Sequence, residues 1–426
     1  MDNIPHHFSA SYAAELDRND KLKRFRDHFY IPQSGGKDSV YFLGNSLGLR
    51  PKTTQDEILK VLDSWANYGV EGFFIGNDPW LDYHKKVNPL LTKILGALES
   101  EIVTMNHLTV NLHLLMISFY QPTPTRYKIL CEAKAFPSDQ YALQSQVRLH
   151  GLNPDEVIIK VNAREGTEVI SNNDILEAIE DHKDSLALVM IGGVNYYTGQ
   201  VFDMQAICKA AKNSGAYVGF DLAHAAGNIE LKLHDWEVDF ACWCNYKYLN
   251  SGPGAIAGAF IHQMHLNRTD LKRLEGWWGN DIANRFEMEE GFTPSNSAES
   301  WQLSTTPMMP LAAHFASLKI FEDAGFVNIL NKSKMLSEYL FFVLDSINTL
   351  EGQFAILTPR AASERGCQVS LSVNKNARQI FDQLLPHGIF ADWREPDVIR
   401  IAPVPLYNTF SEIFTFAQTF KKLLTL

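Results

Sequence analysis

The sequence has few cysteines, no long apolar run and no excess of basic residues, and each shortage argues against one class of protein. Its 426 residues include five cysteines and no CxxC pair, so neither a disulfide framework nor a secreted disulfide-rich domain is expected. No apolar run approaches the roughly 20 residues of a membrane span. The net charge of −11 does not suit a protein that binds nucleic acid through phosphate contacts. The N-terminus lacks a basic start followed by an apolar core, so we expect no secretory signal and predict a cytoplasmic location.

What remains is the composition of a globular enzyme, with 46% hydrophobic and 20% charged residues. Apolar runs such as 186–191 alternate with helical segments such as 203–213, which predicts an α/β fold with a mostly parallel central sheet. The pattern changes near residue 310 to helices and short strands. We therefore predict an N-terminal arm (1–60), a large domain (61–310) and a small C-terminal α+β domain (311–426). Residues 41–52 are expected to form an exposed loop.

The chemistry is concentrated between Ala216 and Phe260. One short apolar run ends at Asp221 and a second ends shortly before Lys247. In open α/β sheets, ligands bind beyond the carboxyl ends of the strands, so both side chains should face one site. Pyridoxal 5′-phosphate (PLP) needs a lysine for its aldehyde and an acidic partner for its pyridine nitrogen. The pair suits this cofactor, but two residues alone do not identify it.

Other segments leave alternatives open. Thr109 falls at the start of a predicted helix (108–119), where backbone N–H groups form a phosphate seat or a simple N-cap. Phe136, at a strand exit, either stacks on a flat ring or packs in the core. The aromatic segment 70–84 is favoured as a binding loop over a satellite core. Cys242 and Cys244 are interpreted as buried core residues, and no metal site is predicted.

Several long strings carry a resemblance to a known family. They are YFLGNSLG, NHLTVNLHLLM, EAKAFPSDQYA, VNYYTGQVFD, GFDLAHAAGNIELKLHDWEVDFACWCNYKYLNSGPG, EGWWGN and RIAPVPLYN. Over nearly its whole length the chain resembles kynureninase, a PLP enzyme of the fold type I aminotransferase-like group. The resemblance implies hydrolytic Cβ–Cγ cleavage of L-kynurenine, and possibly of 3-hydroxykynurenine, to anthranilate or its hydroxylated form and L-alanine, in tryptophan catabolism. It also implies a homodimer with shared sites.

The resemblance assigns roles to single residues. Lys247 is the expected Schiff-base lysine, Asp221 the partner of the pyridine nitrogen, and Tyr246 a candidate for proton transfer. The other expected cofactor contacts are Leu108, Thr109, Phe136, Pro137, Ser138, Asp139, His224, Tyr246, Trp277 and, from the partner subunit, Thr305. Arg400 is expected to bind the substrate carboxylate, with an ordinary ion pair as the alternative. Phe73 and Asn280 are expected near the substrate.

Departures from the family pattern bear on substrate and cofactor. Some relatives that favour 3-hydroxykynurenine have His near the positions of Phe73 and Asn280 and Asn in place of Thr305, which weakens the case for the hydroxylated substrate here. Gly192 stands where some relatives have Ser. The runner-up is a class V aminotransferase or a cysteine desulfurase, for which Cys367 is a poor nucleophile. Loss of Lys247 or Asp221 would have favoured a non-catalytic binding protein, but both residues are present.

Overall fold

The structure, a computed structural model, describes residues 6–288, 290–348 and 352–425. The first five residues of the predicted N-terminal arm lie outside this part. The helices of the described chain are α1 (Ala10–Asn19), α2 (Thr54–Tyr68), α3 (His84–Leu95), α4 (Leu108–Phe119), α5 (Pro137–Leu149), α6 (Pro154–Val157), α7 (Asn172–Asp181), α8 (Met204–Ser214), α9 (Ile282–Arg285), α10 (Met308–Ala324), α11 (Phe326–Ile347), α12 (Ala377–Leu384) and α13 (Phe410–Leu423).

The strands are β1 (Gln33–Ser34), β2 (Lys37–Asp38), β3 (Val40–Tyr41), β4 (Ile102–Thr104), β5 (Lys128–Glu132), β6 (Ile158–Val161), β7 (Leu186–Gly192), β8 (Tyr217–Asp221), β9 (Phe240–Cys244), β10 (Ala257–Ile261), β11 (Phe354–Ile356), β12 (Val369–Val373), β13 (Ile389–Phe390), β14 (Asp392–Arg394) and β15 (Val398–Ile401). Short 3₁₀ turns include Trp277–Gly279 and Ala298–Trp301. No helix among the described residues is both long and apolar enough to cross a membrane.

Local sequence signals explain where the longer helices begin and end. The Asp203 side chain accepts a hydrogen bond from the Ala206 N–H and caps the start of α8, and Gly215 ends that helix at φ 77°. Helix α13 begins with a capping box formed by Thr409 and Glu412. The end of α8 at Gly215 leads directly into β8, the strand that carries Asp221.

The central sheet has seven strands in the order β4-β10-β9-β8-β7-β5-β6. The pairs β5–β6, β5–β7, β7–β8 and β8–β9 are parallel, whereas β10 runs antiparallel to β9 and to β4. The predicted α/β fold with a mostly parallel sheet is therefore confirmed. Because β5, β7, β8 and β9 point the same way, Glu132, Gly192, Asp221 and Cys244 end at one edge of the sheet.

Both faces of the central sheet are covered, as its strand composition requires. Strand β9 is buried throughout, and its side chains alternate between two apolar cores. Trp243 lies in the core that also receives α2, α3, α8 and α10, and Phe240 and Cys242 lie in the core beneath α4 and α5. Cys242 is thus a core residue, as predicted.

A second, antiparallel sheet is built from the C-terminal part of the chain, in the order β11-β12-β15-β14. Its core includes apolar residues of α11 and α13 together with Ala13, Val40 and Phe42 from the N-terminal segment. Strand β3 pairs in parallel with β13, and Leu43 forms a bridge with Ala402. Part of the N-terminal arm therefore belongs to the C-terminal core, whereas other residues of the arm, such as Phe25 and Leu49, lie in a core of the central sheet.

The prediction of an exposed loop at 41–52 was wrong. Most of this segment is buried, and Asn45 is only 1% exposed. Its glycines mark close packing, because a Cβ on Gly44 would collide with Val404 and one on Gly48 would collide with the backbone carbonyl of Lys247. The Gly48 N–H also donates to the Tyr246 carbonyl at 2.8 Å, so this loop buttresses the backbone that carries the lysine.

Candidate active site

One cavity lies at the edge where the parallel strands end. It has a volume of about 150 Å³ and is lined by Leu108, Thr109, Glu132, Phe136, Ser138, Asp139, Gly192, Val194, Tyr196, Asp221, Ala223, His224, Tyr246 and Lys247. Most of the residues that the sequence proposed for the cofactor are in this set. In particular, Asp221 and Lys247, which come from neighbouring strands, face the same space.

Three carboxyl groups line this cavity, and burial raises the pKa of each. For Asp139 the negative charge of nearby Asp221 raises the pKa further. For Asp221 the Ala223 N–H, which donates to Oδ1 at 2.7 Å, and the positive charge of Lys247 act in the opposite direction. The pKa of Asp139 is thus raised more strongly than that of Asp221, so Asp139 is the carboxyl group that keeps a proton more readily and Asp221 the one that ionises more readily.

The amine of Lys247 lies among aromatic rings. Its Nζ is 5.9 Å from the centroid of the Phe136 ring and 5.8 Å from that of the Tyr246 ring. Phe136 meets Tyr196 edge to face, with the ring centroids 5.2 Å apart. Burial raises the pKa of the Tyr246 phenol, so at neutral pH its hydroxyl keeps a proton to donate.

Two helix N-termini meet beside this cavity. Helix α4 begins at Leu108 and α5 at Pro137, and the hydroxyls of Thr109 and Ser138 are 2.7 Å apart. The first N–H groups of a helix have no intrahelical partner and carry the positive end of its dipole. The pair of helices therefore offers a seat for an anion such as a phosphate. Pro137 is the first residue of α5 and does not line the cavity.

His224 is a buried cavity residue with an unsatisfied ring nitrogen. Its Nδ1 has no hydrogen-bond partner among the described residues. Burial, followed by the charges of Lys247 and Arg400, lowers the pKa of the ring well below its usual value. The imidazole is therefore neutral and has one nitrogen available to a bound group.

Arg400 lies behind the cavity, fully buried, and is already engaged. It donates to Asp392 Oδ2 and to the Tyr196 carbonyl, each at 2.6 Å, and weakly to the Ser46 hydroxyl at 3.4 Å. Arg394 contacts the same Asp392 oxygen at 3.4 Å, so two guanidinium groups share one carboxylate. The Nε atoms of both arginines are buried without a partner. The ion pair considered from sequence is thus present, and one positive charge is left over beside Tyr196.

Besides Pro137 and Arg400, four more predicted residues do not line the cavity of this single chain. Phe73 packs on Trp80, with ring centroids 5.1 Å apart. The Asn280 side chain accepts the Thr293 N–H at 2.9 Å. Trp277 is 46% exposed, with its indole N–H donating to the Arg285 carbonyl, and Thr305 is half-buried in the segment before α10.

Sequence reasoning missed Glu132, Val194, Tyr196 and Ala223 as lining residues. Glu132 ends β5 as Asp221 ends β8, so the strand-end rule that identified Asp221 would have found it. Tyr196 follows β7 in a segment whose course is set by tertiary contacts. No feature of the sequence distinguished it from its neighbour Tyr197.

A cluster of possible metal ligands lies away from this cavity. Glu101, His234 and His262 bring their ligand atoms within 4.8 Å of one another. The Nδ1 of His262 accepts the Met264 N–H, which leaves Nε2 as the donor toward the His234 carbonyl. Glu101 accepts the Gln263 N–H and pairs with His234 at 2.9 Å. These hydrogen bonds engage both ring nitrogens of His262 and the Oε1 atom of Glu101.

The cavity fits PLP on grounds of its own donors and acceptors. Lys247 provides an amine, Asp221 an anion and Phe136 an aromatic face, and the N-termini of α4 and α5 provide a seat for the phosphate. The unsatisfied atoms Asp139 Oδ1 and His224 Nδ1 also need partners. A polar, phosphate-bearing ring satisfies all of these features at once.

Comparison with known proteins points the same way. A family model described as the kynureninase C-terminal domain matches residues 329–420. The chain is 50% identical over 412 residues to the kynureninase of Flavobacterium psychrophilum, which covers 96% of this chain and 97% of that protein. It is also 50% identical to the kynureninase of Myxococcus xanthus, with 96% of each chain covered.

Solved structures show the same fold at low sequence identity. The apo cysteine desulfurase of Thermococcus onnurineus has a TM-score of 0.72 at 18% identity, covering 91% of this chain and 95% of that one. A C-DES mutant with glycine covalently linked to its PLP cofactor has a TM-score of 0.76 at 16% identity, covering 93% and 98%. The fold is that of the fold type I PLP-dependent enzymes.

Proposed function

The chain belongs to the kynureninase family, and from this we infer that it is a PLP-dependent hydrolase that cleaves the Cβ–Cγ bond of L-kynurenine. The products are anthranilate and L-alanine. The observation that carries the proposal is the single cavity that contains Asp221 and Lys247 together with Phe136 and the two helix N-termini. A desulfurase needs a reactive, accessible thiolate. Every cysteine of the chain is buried, and burial raises the pKa of Cys367 to about 12, so that alternative has no nucleophile.

When bound, PLP supplies an aldehyde that links to amines and a protonated ring that accepts an electron pair from the substrate α-carbon. Lys247 would hold the cofactor covalently, and its freed amine would take the proton from the substrate Cα. Asp221 would keep the pyridine nitrogen protonated, with Asp139 donating to Asp221 to fix its orientation. Leu108, Thr109 and Ser138 would hold the phosphate, and Phe136 would face the ring. Neutral His224 would form a hydrogen bond with the cofactor through its free Nδ1.

Tyr246 is our candidate acid for the later steps. Water must add to the aryl ketone of the substrate before the Cβ–Cγ bond breaks, and this addition and the departure of the alanyl fragment both require proton transfer. The protonated phenol of Tyr246 lies close to the Lys247 amine, so the two groups can divide these transfers between them. The excess positive charge of Arg400 and Arg394 would bind the α-carboxylate of the substrate.

We propose that the active form is a homodimer. The apolar side chains of Phe74, Trp277, Ile282 and Phe286, here called the aromatic surface, are between 41% and 51% exposed. Phe286 joins Phe74 and Trp277 through ring contacts of 5.7 and 5.6 Å. Exposed apolar patches of this kind mark interfaces. A second copy covering this surface would bring Trp277 and Thr305 of one chain to the cavity of the partner. Phe73 and Asn280 would then lie at the rim of a cavity.

Mixing two variants tests this arrangement. Lys247→Ala and Trp277→Ala chains should each be impaired, and mixed dimers should regain activity because one site combines an intact lysine with an intact tryptophan. Sedimentation velocity should give the mass of a dimer, and Phe286→Asp should shift it toward the monomer. A monomeric wild type with full activity would refute the shared site.

Two further assignments are proposals. The division into an arm (1–60), a large domain (61–310) and a small domain (311–426) is supported by the two separate sheets. The N-terminal arm contributes residues to the core of the small domain and to a core of the large domain. A cytoplasmic location is supported by the buried free cysteines.

A direct assay tests the proposed reaction. L-kynurenine added to the PLP-loaded protein should give fluorescent anthranilate and an equal amount of L-alanine. 3-hydroxykynurenine, tested in parallel, should be cleaved less efficiently. Release of sulfide from cysteine, without anthranilate, would overturn the proposal.

A further inference from the structure

We propose that Glu132 is an additional cofactor-binding residue, whose carboxyl group donates a hydrogen bond to the bound cofactor from the end of β5. This inference rests on the cofactor site proposed above and adds a residue to it. The site already contains Asp221 and Asp139, so Glu132 would be its third carboxyl group.

Within the described residues, the hydrogen bonds that the Glu132 side chain receives from elsewhere in the chain come from one group, the Gly192 N–H. Both of its carboxyl oxygens face the Gly192 N–H, at 3.1 and 3.3 Å. No salt bridge to Glu132 occurs within the described ranges, and the residue is 5% exposed. A carboxyl group has more hydrogen-bonding capacity than one N–H can satisfy. The remaining capacity is directed toward the cavity that Glu132 lines.

The charges around Glu132 determine its chemical form. Asp221 at the end of β8 and Asp139 in α5 are acidic, and the facing amine is Lys247 beyond β9. The other titratable groups that line the cavity are His224, Tyr196 and Tyr246. Asp221 already uses the positive charge of Lys247. A buried carboxylate without a cation is costly, so Glu132 is stabilised as the neutral acid, which can donate a proton in a hydrogen bond. In agreement, burial raises the pKa of Glu132 to about 7.

Gly192 explains how the carboxyl group reaches this place. A Cβ added at Gly192 would lie 3.0 Å from Glu132 Oε1, which is a tight contact. The glycine therefore leaves room for the glutamate side chain at the end of β7. A serine at position 192 would offer a hydroxyl group to the cavity. This chain has a glycine there, and the carboxyl group of Glu132 lies beside the cavity instead.

The competing explanation is that Glu132 only satisfies the backbone of β7. Asp239 offers a matched control, because it is also buried and accepts a strand N–H, that of Val218, at 2.7 Å. It lies at the opposite edge of the sheet, before β9. Loss of a purely structural carboxylate should lower stability and leave cofactor affinity unchanged, as we expect for Asp239→Asn.

The test measures the dissociation constant of PLP during reconstitution, for wild type, Glu132→Gln, Glu132→Ala and Asp239→Asn. Glu132→Ala should weaken PLP binding about tenfold, which is the effect of one lost hydrogen bond. Glu132→Gln keeps an acceptor for Gly192 and a donor for the cofactor, so its affinity should match wild type at pH 6. At pH 8.5 wild type should bind several-fold more weakly than Glu132→Gln, because ionised Glu132 no longer donates whereas the amide still does.

Each result decides the matter. Wild-type affinity in Glu132→Ala would overturn the proposal, and so would a Glu132→Gln variant that binds as weakly as Glu132→Ala. If Glu132→Ala does not fold, the test compares the dissociation constants of PLP for wild type and Glu132→Gln between pH 6 and pH 8.5. If the ratio of these two constants does not change with pH, the donor role is refuted. Failure of wild type itself to bind PLP would refute the cofactor site, independently of Glu132.

Discussion

Replacing Arg400 by lysine separates substrate binding from an ordinary ion pair. Arg400 is fully buried and donates to Asp392 and to the Tyr196 carbonyl, while its Nε has no partner. A lysine keeps the charge but has a single ammonium group on a flexible stem. This ammonium group can maintain the contact with Asp392 or bind the substrate carboxylate. Without the planar guanidinium of arginine, it cannot do both.

The expected magnitude follows from the hydrogen bonds that the substrate carboxylate no longer receives. A hydrogen bond to a charged group contributes about 1.5–3 kcal/mol, and each 1.4 kcal/mol corresponds to about a tenfold change in affinity. Arg400→Lys should therefore raise KM for L-kynurenine by roughly tenfold to a hundredfold. Because the carboxylate is bound equally in the ground state and the transition state, kcat should change little.

The assay is steady-state anthranilate production, with two controls. Arg394→Lys is the matched variant, because Arg394 contacts the same aspartate but is 37% exposed, and it should have a much smaller effect. The decarboxylated analogue of kynurenine provides the second control. Its binding should be equally weak in wild type and in Arg400→Lys, because the group that Arg400 recognises is missing.

Two results would refute this role for Arg400. One is a KM within twofold of wild type for L-kynurenine. The other is an equal loss of affinity for L-kynurenine and for the decarboxylated analogue. Either would mean that Arg400 serves only to pair with Asp392 and stabilise the fold.

Three further predictions concern the cofactor and the fold. Lys247→Ala should abolish turnover and the borohydride-stable link to PLP, measured by mass spectrometry of the intact protein; normal turnover of kynurenine would contradict the assignment. Asp221→Asn should still bind PLP but lose at least about a hundredfold in kcat, the usual cost of removing a group that stabilises developing charge, and normal activity would count against it. The Lys332 amine lies 2.7 Å from the buried Asp20 carboxylate. Lys332→Met should lower the free energy of unfolding in urea by about 3–5 kcal/mol, because the carboxylate loses this partner. An unchanged unfolding midpoint would show that the pair contributes nothing.

The sequence predicted the central sheet and the main residues of its catalytic edge because those features are local. The apolar runs that end at Asp221 and before Lys247 became β8 and β9, and the helical spacing from Leu108 became α4. Strand ends of a parallel sheet meet at one edge by geometry, so spacing along the chain was enough to bring these side chains together.

Other features depended on contacts between distant segments. The glycines at 44 and 48 have the composition of a surface turn, but they are required because Val404 and the Lys247 backbone lie against them. An ion pair was the alternative considered for Arg400, but its partner could not be identified from sequence, since Asp392 belongs to a neighbouring strand whose register is set by pairing. The roles proposed for Trp277 and Thr305 require a second chain, and the structure of one chain does not test them.

The pairing of β3 with β13 has a consequence for synthesis. On the ribosome, Val40 and Phe42 emerge early, whereas the strands and helix that cover them are translated only after residue 388. The parallel sheet between them can begin to fold first, because its elements are contiguous. In the nascent polypeptide, Val40 and Phe42 therefore remain without these backbone partners until translation is nearly complete.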